Sequence, residues 1–338
     1  MSASVFAEIS LKNIVYNCRK VKKLIDKNVK FCAVIKSDAY GHGLVETAKA
    51  LYKEADAFAV SLAGEVYALR ISGIDKEILL LTPAYEENAE KLIRYGATLS
   101  VGSLGEVKTV ISAAKRAKKT VKVHFAINSG MNRLGFSAES EILKAISLIK
   151  RSRCVKLCGA FTHFYKQEDA FVCDKQFGEF LKLIKPVKEY EENAVLHVAS
   201  SGGVLQNKKY SLDMVRVGIM LYGYTPFKTD KIKLKRAAKV YAPFVCRRDI
   251  CGKPALYGGK IYTEKTASVI RLGYADGFFR EKTFLLNLCM DLSVTDKQPK
   301  NGRVLVFDDA EKLSEKCGTI SYEILVNALR RAKKEYIQ

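Results

Sequence analysis

Residues 31–43 read Phe-Cys-Ala-Val-Ile-Lys-Ser-Asp-Ala-Tyr-Gly-His-Gly. The apolar run stops abruptly at Lys36, and a run of this length suits a fully buried strand. A lysine at such an end has a desolvated stem and a head at the mouth of whatever the strand leads into. Desolvation lowers the amine pKa and prepares it to attack a carbonyl, which is how Schiff-base lysines arise. Gly41 and Gly43 flank His42 and admit backbone conformations closed to other residues. A solvated lysine that merely closes a strand is the other reading, and position alone leaves both open. Arg133 lies in Ile127-Asn-Ser-Gly-Met-Asn-Arg-Leu-Gly-Phe136, where a planar guanidinium could pair a carboxylate through two parallel hydrogen bonds. His163 ends an apolar run, Ser200 and Ser201 follow another, and Arg216 sits inside a third.

These residues need elements to position them. Apolar runs recur at 31–36, 57–61, 77–82, 97–102, 122–128, 157–163, 195–200 and 214–219. Most are separated by helix-period segments such as 43–53, 63–71, 102–117 and 170–191. Eight buried strands alternating with helices predict a parallel, TIM-like (β/α)8 barrel. Such barrels place their sites at the carboxyl ends of the strands. There Lys36 ends the first run, Arg133 follows the fifth, and His163 ends the sixth. Ser200 and Ser201 follow the seventh, and Arg216 with Gly218 lies in the eighth. After Tyr222 and Gly223 the rhythm changes. The lysine-rich residues 228–239 read as a crossing segment or edge strand. Short β-rich runs at 240–246, 266–272, 284–294 and 303–307 follow, with turn signals at 249–252 and 297–302. Tyr322–Lys334 reads as a final helix. The predicted organisation is a barrel over residues 10–228 and a smaller, mostly-β domain over 229–338, which residues 1–9 join as a strand.

Composition narrows the class. Of 338 residues, 57 are basic and 36 acidic, so the formal net charge is +21, and 48% are hydrophobic, enough for sizeable cores. No apolar run reaches the roughly 18 residues of a membrane helix, and the first residues lack the pattern of a secretory signal. A cytoplasmic location is expected. The nine cysteines are odd in number and contain no Cys-x-x-Cys pair, which suggests free thiols in a reducing compartment. The charge is spread along the chain as lysine pairs on expected helix faces. That argues for a solvated surface rather than a nucleic-acid partner, although it can attract anionic substrates over long range.

The stretch around Lys36 resembles the pyridoxal-phosphate signature of the alanine racemase family, and further matches follow in the family's order over nearly the whole chain. The resemblance implies pyridoxal 5'-phosphate as cofactor and an amino acid as substrate. Racemisation needs proton-transfer groups on opposite faces of a planar intermediate. Lys36 would serve one face, and Tyr257, in Tyr257-Gly-Gly-Lys-Ile-Tyr262, the other. Tyr40, Tyr322, Ser201 and the amides of Gly218 and Ile219 would hold the phosphate. His163, in Thr162-His-Phe164, would pack near the cofactor ring. Arg216, in Asp213-Met-Val-Arg-Val-Gly-Ile219, would face the pyridine nitrogen. Because arginine stays charged, that nitrogen would not readily be protonated, and little carbanion would divert to transamination. Arg133 would reach the cofactor phenolic oxygen and the substrate carboxylate, and the Met290 amide would meet the same carboxylate. Tyr274, in Leu272-Gly-Tyr-Ala-Asp-Gly277, and Arg280 would gate the entry channel. No metal is implied.

The chain also departs from the family. Many members carry Lys-x-Asp ahead of Gly-Met, with the lysine carbamylated to orient the arginine; Ala126 and Asn128 stand at the lysine and aspartate positions here. A carbamate cannot form on alanine, so Asn128 or a bound anion such as chloride is expected to hold Arg133. Ser200 replaces an asparagine. The resemblance further implies a head-to-tail homodimer with shared sites and a supply of D-alanine for peptidoglycan. A racemase preferring serine or a broader range is the runner-up. A basic-amino-acid decarboxylase would carry a different lysine motif. A non-catalytic pyridoxal-phosphate protein would resemble the barrel alone, without the β segment that carries Tyr257 and Met290.

Overall fold

The computed structural model describes residues 5–258, 260–263, 265–278 and 285–337. Fifteen strands are described among these residues. The N-terminal strand β1 (Phe6–Ser10) leads directly into the helix Leu11–Lys22, because the Ser10 hydroxyl accepts from the Asn13 amide at 3.2 Å and stops the strand. Then come β2 (Lys30–Val34), β3 (Ala57–Val60), β4 (Glu77–Pro83) and β5 (Thr98–Val101). They are followed by β6 (Val121–Ala126), β7 (Val155–Phe161), β8 (Val195–His197) and β9 (Met214–Val217). These eight pair in parallel in the order β8-β7-β6-β5-β4-β3-β2-β9. The ring closes where the Arg216 amide donates to the Ala199 carbonyl at 2.9 Å and Ser200 bridges Arg216. The result is the (β/α)8 barrel expected from the rhythm of apolar runs. Strands β3 and β5 are buried throughout, as strands covered by helices on one face and packed into a barrel interior must be.

The second sheet contains β10 (Ala238–Asp249), β11 (Thr266–Ile270), β12 (Asn287–Leu288), β13 (Ser293–Thr295), β14 (Arg303–Phe307) and β15 (Lys333–Ile337), together with β1. β10 is long enough to serve both halves of this sheet: Val240–Pro243 pairs with β14 and Phe244–Asp249 with β11. Strand β1 runs antiparallel to β10 and parallel to β15 within this sheet. Residues 228–237 form no strand. Asn17 grips the main chain of Lys235, and Arg236 pairs with Asp309 and Glu311, so this segment is a crossing rather than an edge.

Three expectations are corrected. The helix expected over Tyr322–Lys334 is Ser321–Arg330, and residues 333–337 are instead a strand, because their main chain zips onto β1 from Phe6 to Ser10. That long-range pairing outweighs local helix propensity. The run expected over 284–294 is a hairpin, β12 and β13, whose turn is closed by Cys289 N–H donating to the Leu292 carbonyl at 2.8 Å. The helix expected over 170–191 breaks at Ile184, and Pro186 starts a new turn. Among the described residues, no helix is long and apolar enough to cross a membrane.

Candidate active site

Lys36 stands at the carboxyl end of β2, half-buried, and opens an unusual turn. Ser37, Asp38, Ala39 and Tyr40 all have φ of 54–55°, a left-handed run that costs roughly 1–2 kcal/mol per residue for side chains with a Cβ. The surroundings offset that cost. Asp38 Oδ1 accepts from the Leu44 amide at 2.7 Å and Oδ2 pairs with Lys334 at 3.0 Å. Glu65 accepts from the amides of Asp38, Ser61 and Leu62. Gly41 lies so close to the helix Ser321–Arg330 that a Cβ there would meet Leu329 Cβ at 2.5 Å. The signature glycines thus serve backbone conformation and close approach, and the turn aims Lys36 and Tyr40 into the barrel mouth. Burial lowers the Lys36 pKa below the ordinary 10.5, the Arg133 cation lowers it further, and Glu65 opposes both. The amine makes no hydrogen bond with any described residue.

Arg216 is buried in β9. Its guanidinium donates to the Thr162 carbonyl at 2.6 Å, the His197 carbonyl at 2.7 Å and the His197 Nδ1 at 2.8 Å. Because arginine only donates, His197 Nδ1 must accept. Its Nε2–H therefore donates to His124 Nδ1, 2.8 Å away. Burial lowers the Arg216 pKa to about 10, so it remains a cation at neutral pH, and no carboxylate pairs with it among the described residues. His163 is pushed down to about 3 by burial, then by Arg216, Arg133 and Lys36. That shared field places all four groups in one region. Tyr40 packs against Tyr222 at 4.9 Å and Tyr322 at 6.0 Å between ring centroids. Its hydroxyl stands over Gly218, where a Cβ would overlap it. The Gly218 amide donates to Ser201 Oγ at 3.2 Å, and Ile219 opens a 3-10 turn through Tyr222. The barrel therefore gathers Lys36, Tyr40, Arg133, His163, Ser201, Arg216, Gly218, Ile219 and Tyr322. Hydroxyls, amides and cations dominate this set, as an anion site requires.

The Arg133 loop is held from within. Asn128 Oδ1 accepts from the amides of Gly130 at 3.2 Å and Asn132 at 2.9 Å, and its Nδ2 donates to Asn132 Oδ1 at 3.0 Å and Ser137 Oγ at 3.1 Å. The Arg133 guanidinium itself has no hydrogen-bond or ion-pair partner among the described residues. Asn128 thus fixes the backbone that carries Arg133 rather than touching its head group. Ser200 donates to Gln167 Oε1 at 2.6 Å, which also accepts from the Gly202 amide at 2.9 Å.

Tyr257, Tyr274 and Met290 lie in the connections between strands of the other sheet. Asn287 Nδ2 donates to the Tyr257 carbonyl at 3.0 Å, and the amides of Tyr274 and Ala275 donate to Cys289 and Met290 at 3.0 and 3.1 Å. Buried Asp276 caps the Tyr274 turn by accepting from the Gly273 amide, with Arg271 and Arg331 beside it. Tyr257 is 78% exposed, and Tyr274 and Met290 are exposed as well. Among the described residues, none of the three shares a hydrogen bond or ring contact with the Lys36 group. Arg280 lies outside the described residues. Sequence reasoning gave no role to Gln167, Asp38, Glu65 or the His197–His124 pair. The pair had a signal: half of the chain's four histidines fall inside barrel strands, on residues that a strand interior rarely tolerates without partners.

Residues 9–226 match the family described as alanine racemase, N-terminal domain. An alanine racemase of Carboxydothermus hydrogenoformans is 32% identical, with 98% of this chain and 99% of that protein covered. The solved alanine racemase of Clostridium difficile 630 superposes with a TM-score of 0.91 at 32% identity, over 100% of this chain and 96% of that one. An alanine racemase of Bartonella henselae, described with covalently bound pyridoxal phosphate, gives a TM-score of 0.86 at 26% identity, over 99% of this chain and 100% of that one.

Proposed function

We propose that this chain, which belongs to the alanine racemase family, interconverts L- and D-alanine with pyridoxal 5'-phosphate held at the barrel mouth. One observation carries the reading: a half-buried lysine amine that makes no hydrogen bond with any described residue shares the surroundings of His163 with Arg133 and with a buried Arg216 that no described carboxylate pairs. That donor set fits the cofactor, as does the family relative described with it bound. Tyr40, Tyr322, Ser201 and the turn amides of Gly218 and Ile219 would hold the phosphate, Lys36 the aldehyde carbon, and His163 and Arg216 the ring. When bound, the cofactor supplies the electron sink that makes the substrate Cα–H acidic.

The chain's own groups do the rest. Arg133 pairs the substrate carboxylate, and the Met290 amide adds a hydrogen bond to it. Lys36 Nζ takes the proton from Cα of D-alanine, and Tyr257 Oη takes it from Cα of L-alanine on the opposite face. Arg216 already donates to the Thr162, His197 and Val198 carbonyls and to the His197 imidazole, and with a pKa of about 10 it keeps its protons at neutral pH. It would therefore not pass a proton to the ring nitrogen.

In this reading Tyr257 is supplied by a second copy of the chain. The barrel mouth exposes Leu62, Tyr85, Leu134 and Tyr165, while the connections of the other sheet expose Tyr257, Ile261, Tyr274 and Met290. Two apolar surfaces of this kind, each carrying half of a site, suit a head-to-tail homodimer that buries them against one another. Tyr274 then lies on the substrate's way in. The product would be cytoplasmic D-alanine for peptidoglycan. A broader substrate range, including serine, is the second reading, favoured by an Arg133 guanidinium that has no side-chain partner among the described residues.

Cofactor-loaded protein incubated with L-alanine and with L-serine in deuterated solvent tests this. Deuterium at Cα with inversion of alanine is expected. No exchange on alanine, despite bound cofactor, would overturn the assignment.

A further inference from the structure

His42 is the one side chain of the Tyr-Gly-His-Gly stretch to which the reaction assigns nothing, yet it is fully buried. Its Nδ1 lies 3.0 Å from the Ala39 carbonyl and 3.1 Å from the Tyr40 carbonyl. Carbonyls only accept, so Nδ1 carries the hydrogen and donates to both. Its Nε2 is then a bare acceptor, buried and without a partner among the described residues. The ring stacks on Tyr222 at 4.4 Å and 24°.

The two carbonyls are those of the last residues of the left-handed run. The Ser37, Asp38 and Ala39 carbonyls each receive a main-chain amide, from Gly41, Gly43 and His42 respectively. The Tyr40 carbonyl receives no such amide, and His42 Nδ1 is its partner. A buried carbonyl without a partner is unfavourable by about 1–3 kcal/mol, at the residue whose side chain reaches the Gly218 turn. A polar ring that leaves one nitrogen buried and unpaired is retained there although an aliphatic side chain would fill the same space.

We propose that His42 is a positioning residue: its Nδ1–H pins the Ala39 and Tyr40 carbonyls and so sets the Tyr40 hydroxyl over Gly218 as a contact for the cofactor phosphate. This deepens the reading above and rests on its assignment of the phosphate to Tyr40 and Gly218. His42 acts through Tyr40 and touches neither substrate nor cofactor.

The test titrates cofactor-free variants with pyridoxal phosphate and with pyridoxal, which lacks the phosphate, reading absorbance, alongside thermal midpoints. His42→Leu keeps bulk and removes the donor. His42→Asn puts an amide N–H where Nδ1 stands, and His42→Gln puts one where Nε2 stands. The expected pattern is a loss of about tenfold in pyridoxal-phosphate affinity for Leu and Gln, retention by Asn, and little change for pyridoxal throughout. Tyr40→Phe should weaken pyridoxal phosphate similarly, and adding His42→Leu to it should cost little more, because both act on one contact. Equal affinity for the Asn, Gln and Leu variants would overturn the proposal, as would full additivity with Tyr40→Phe. If Tyr40→Phe itself binds pyridoxal phosphate normally, the phosphate assignment falls instead. Should the Leu variant not fold, the Asn and Gln comparison decides the point.

Discussion

Lowering the pH from 7 to 5 should destabilise the cofactor-free protein through its histidines. His42 and His124 are pushed down to about 4 by burial, and His197 is pushed down by burial and then by Arg216 and His124. All three are neutral in the folded chain. In the unfolded chain each takes a proton near pH 6.5. The folded pKa is depressed, so the stabilisation is present above the unfolded value and is lost as pH falls toward the folded one. Within that window each histidine contributes about 1.36 kcal/mol per pH unit, and the three together roughly 4. From pH 7 to pH 5 the loss is about 1.8 kcal/mol each, or about 5 in all, a large part of the 5–15 kcal/mol typical of a folded domain. His163 adds to the same direction from its half-buried position. Carboxylates with lowered pKa, such as Glu90 and Asp75, sit on the surface and titrate below this window. The chain has no tryptophan, so urea unfolding is followed by circular dichroism at fixed protein concentration. The midpoint should fall steeply between pH 7 and 5, and because four histidines share the effect, His42→Asn should reduce that pH dependence by about a quarter. A midpoint that stays flat over this range would refute the assignment of three neutral, buried imidazoles.

Four further outcomes are expected. Lys36→Met should abolish the absorbance of covalently held cofactor and raise the melting temperature of the cofactor-free protein at neutral pH, because it removes a half-buried cation beside Arg133. In the cofactor-free wild type, labelling of Lys36 by an amine reagent against pH should titrate below 10.5, and Arg133→Ala should move that titration upward. Asn128→Ala should raise KM for alanine by about tenfold while leaving cofactor absorbance intact, since four loop hydrogen bonds of roughly 1 kcal/mol each are lost in part; steady-state kinetics decide. Gly218→Ala should weaken pyridoxal phosphate by about five- to thirty-fold, the equivalent of 1–2 kcal/mol of overpacking. The new Cβ would lie 3.1 Å from Tyr40 Cζ and overlap the hydroxyl, and equilibrium titration measures the change.

The barrel was legible in the chain because its evidence is local and periodic. Each strand is an apolar run such as Phe31–Ile35 and each helix a 3.6-residue pattern, and eight repetitions leave few other architectures. The placement of Lys36, His163, Ser201 and Arg216 on one rim followed from that rhythm alone, since every strand of a parallel barrel ends on the same side. Their grouping with Tyr322 could not follow, because it depends on the helix Ser321–Arg330 folding back against Gly41.

Where the sequence misled, a distant partner decided. Lys333–Ile337 has a composition that suits a helix, but β1, more than 300 residues earlier, offers an unpaired edge, and main-chain hydrogen bonds there outweigh a propensity of tenths of a kcal/mol per residue. The tautomers of His197 and His124 follow from one guanidinium donor that reaches them only in three dimensions. Residue types and order determined which chemistry the chain can carry. Tertiary structure alone decided that Asn128 clamps the loop rather than the Arg133 head group, and that Lys36 and Tyr257 stand apart within one chain, because hydrogen-bond direction and strand pairing are properties of surroundings rather than of residues.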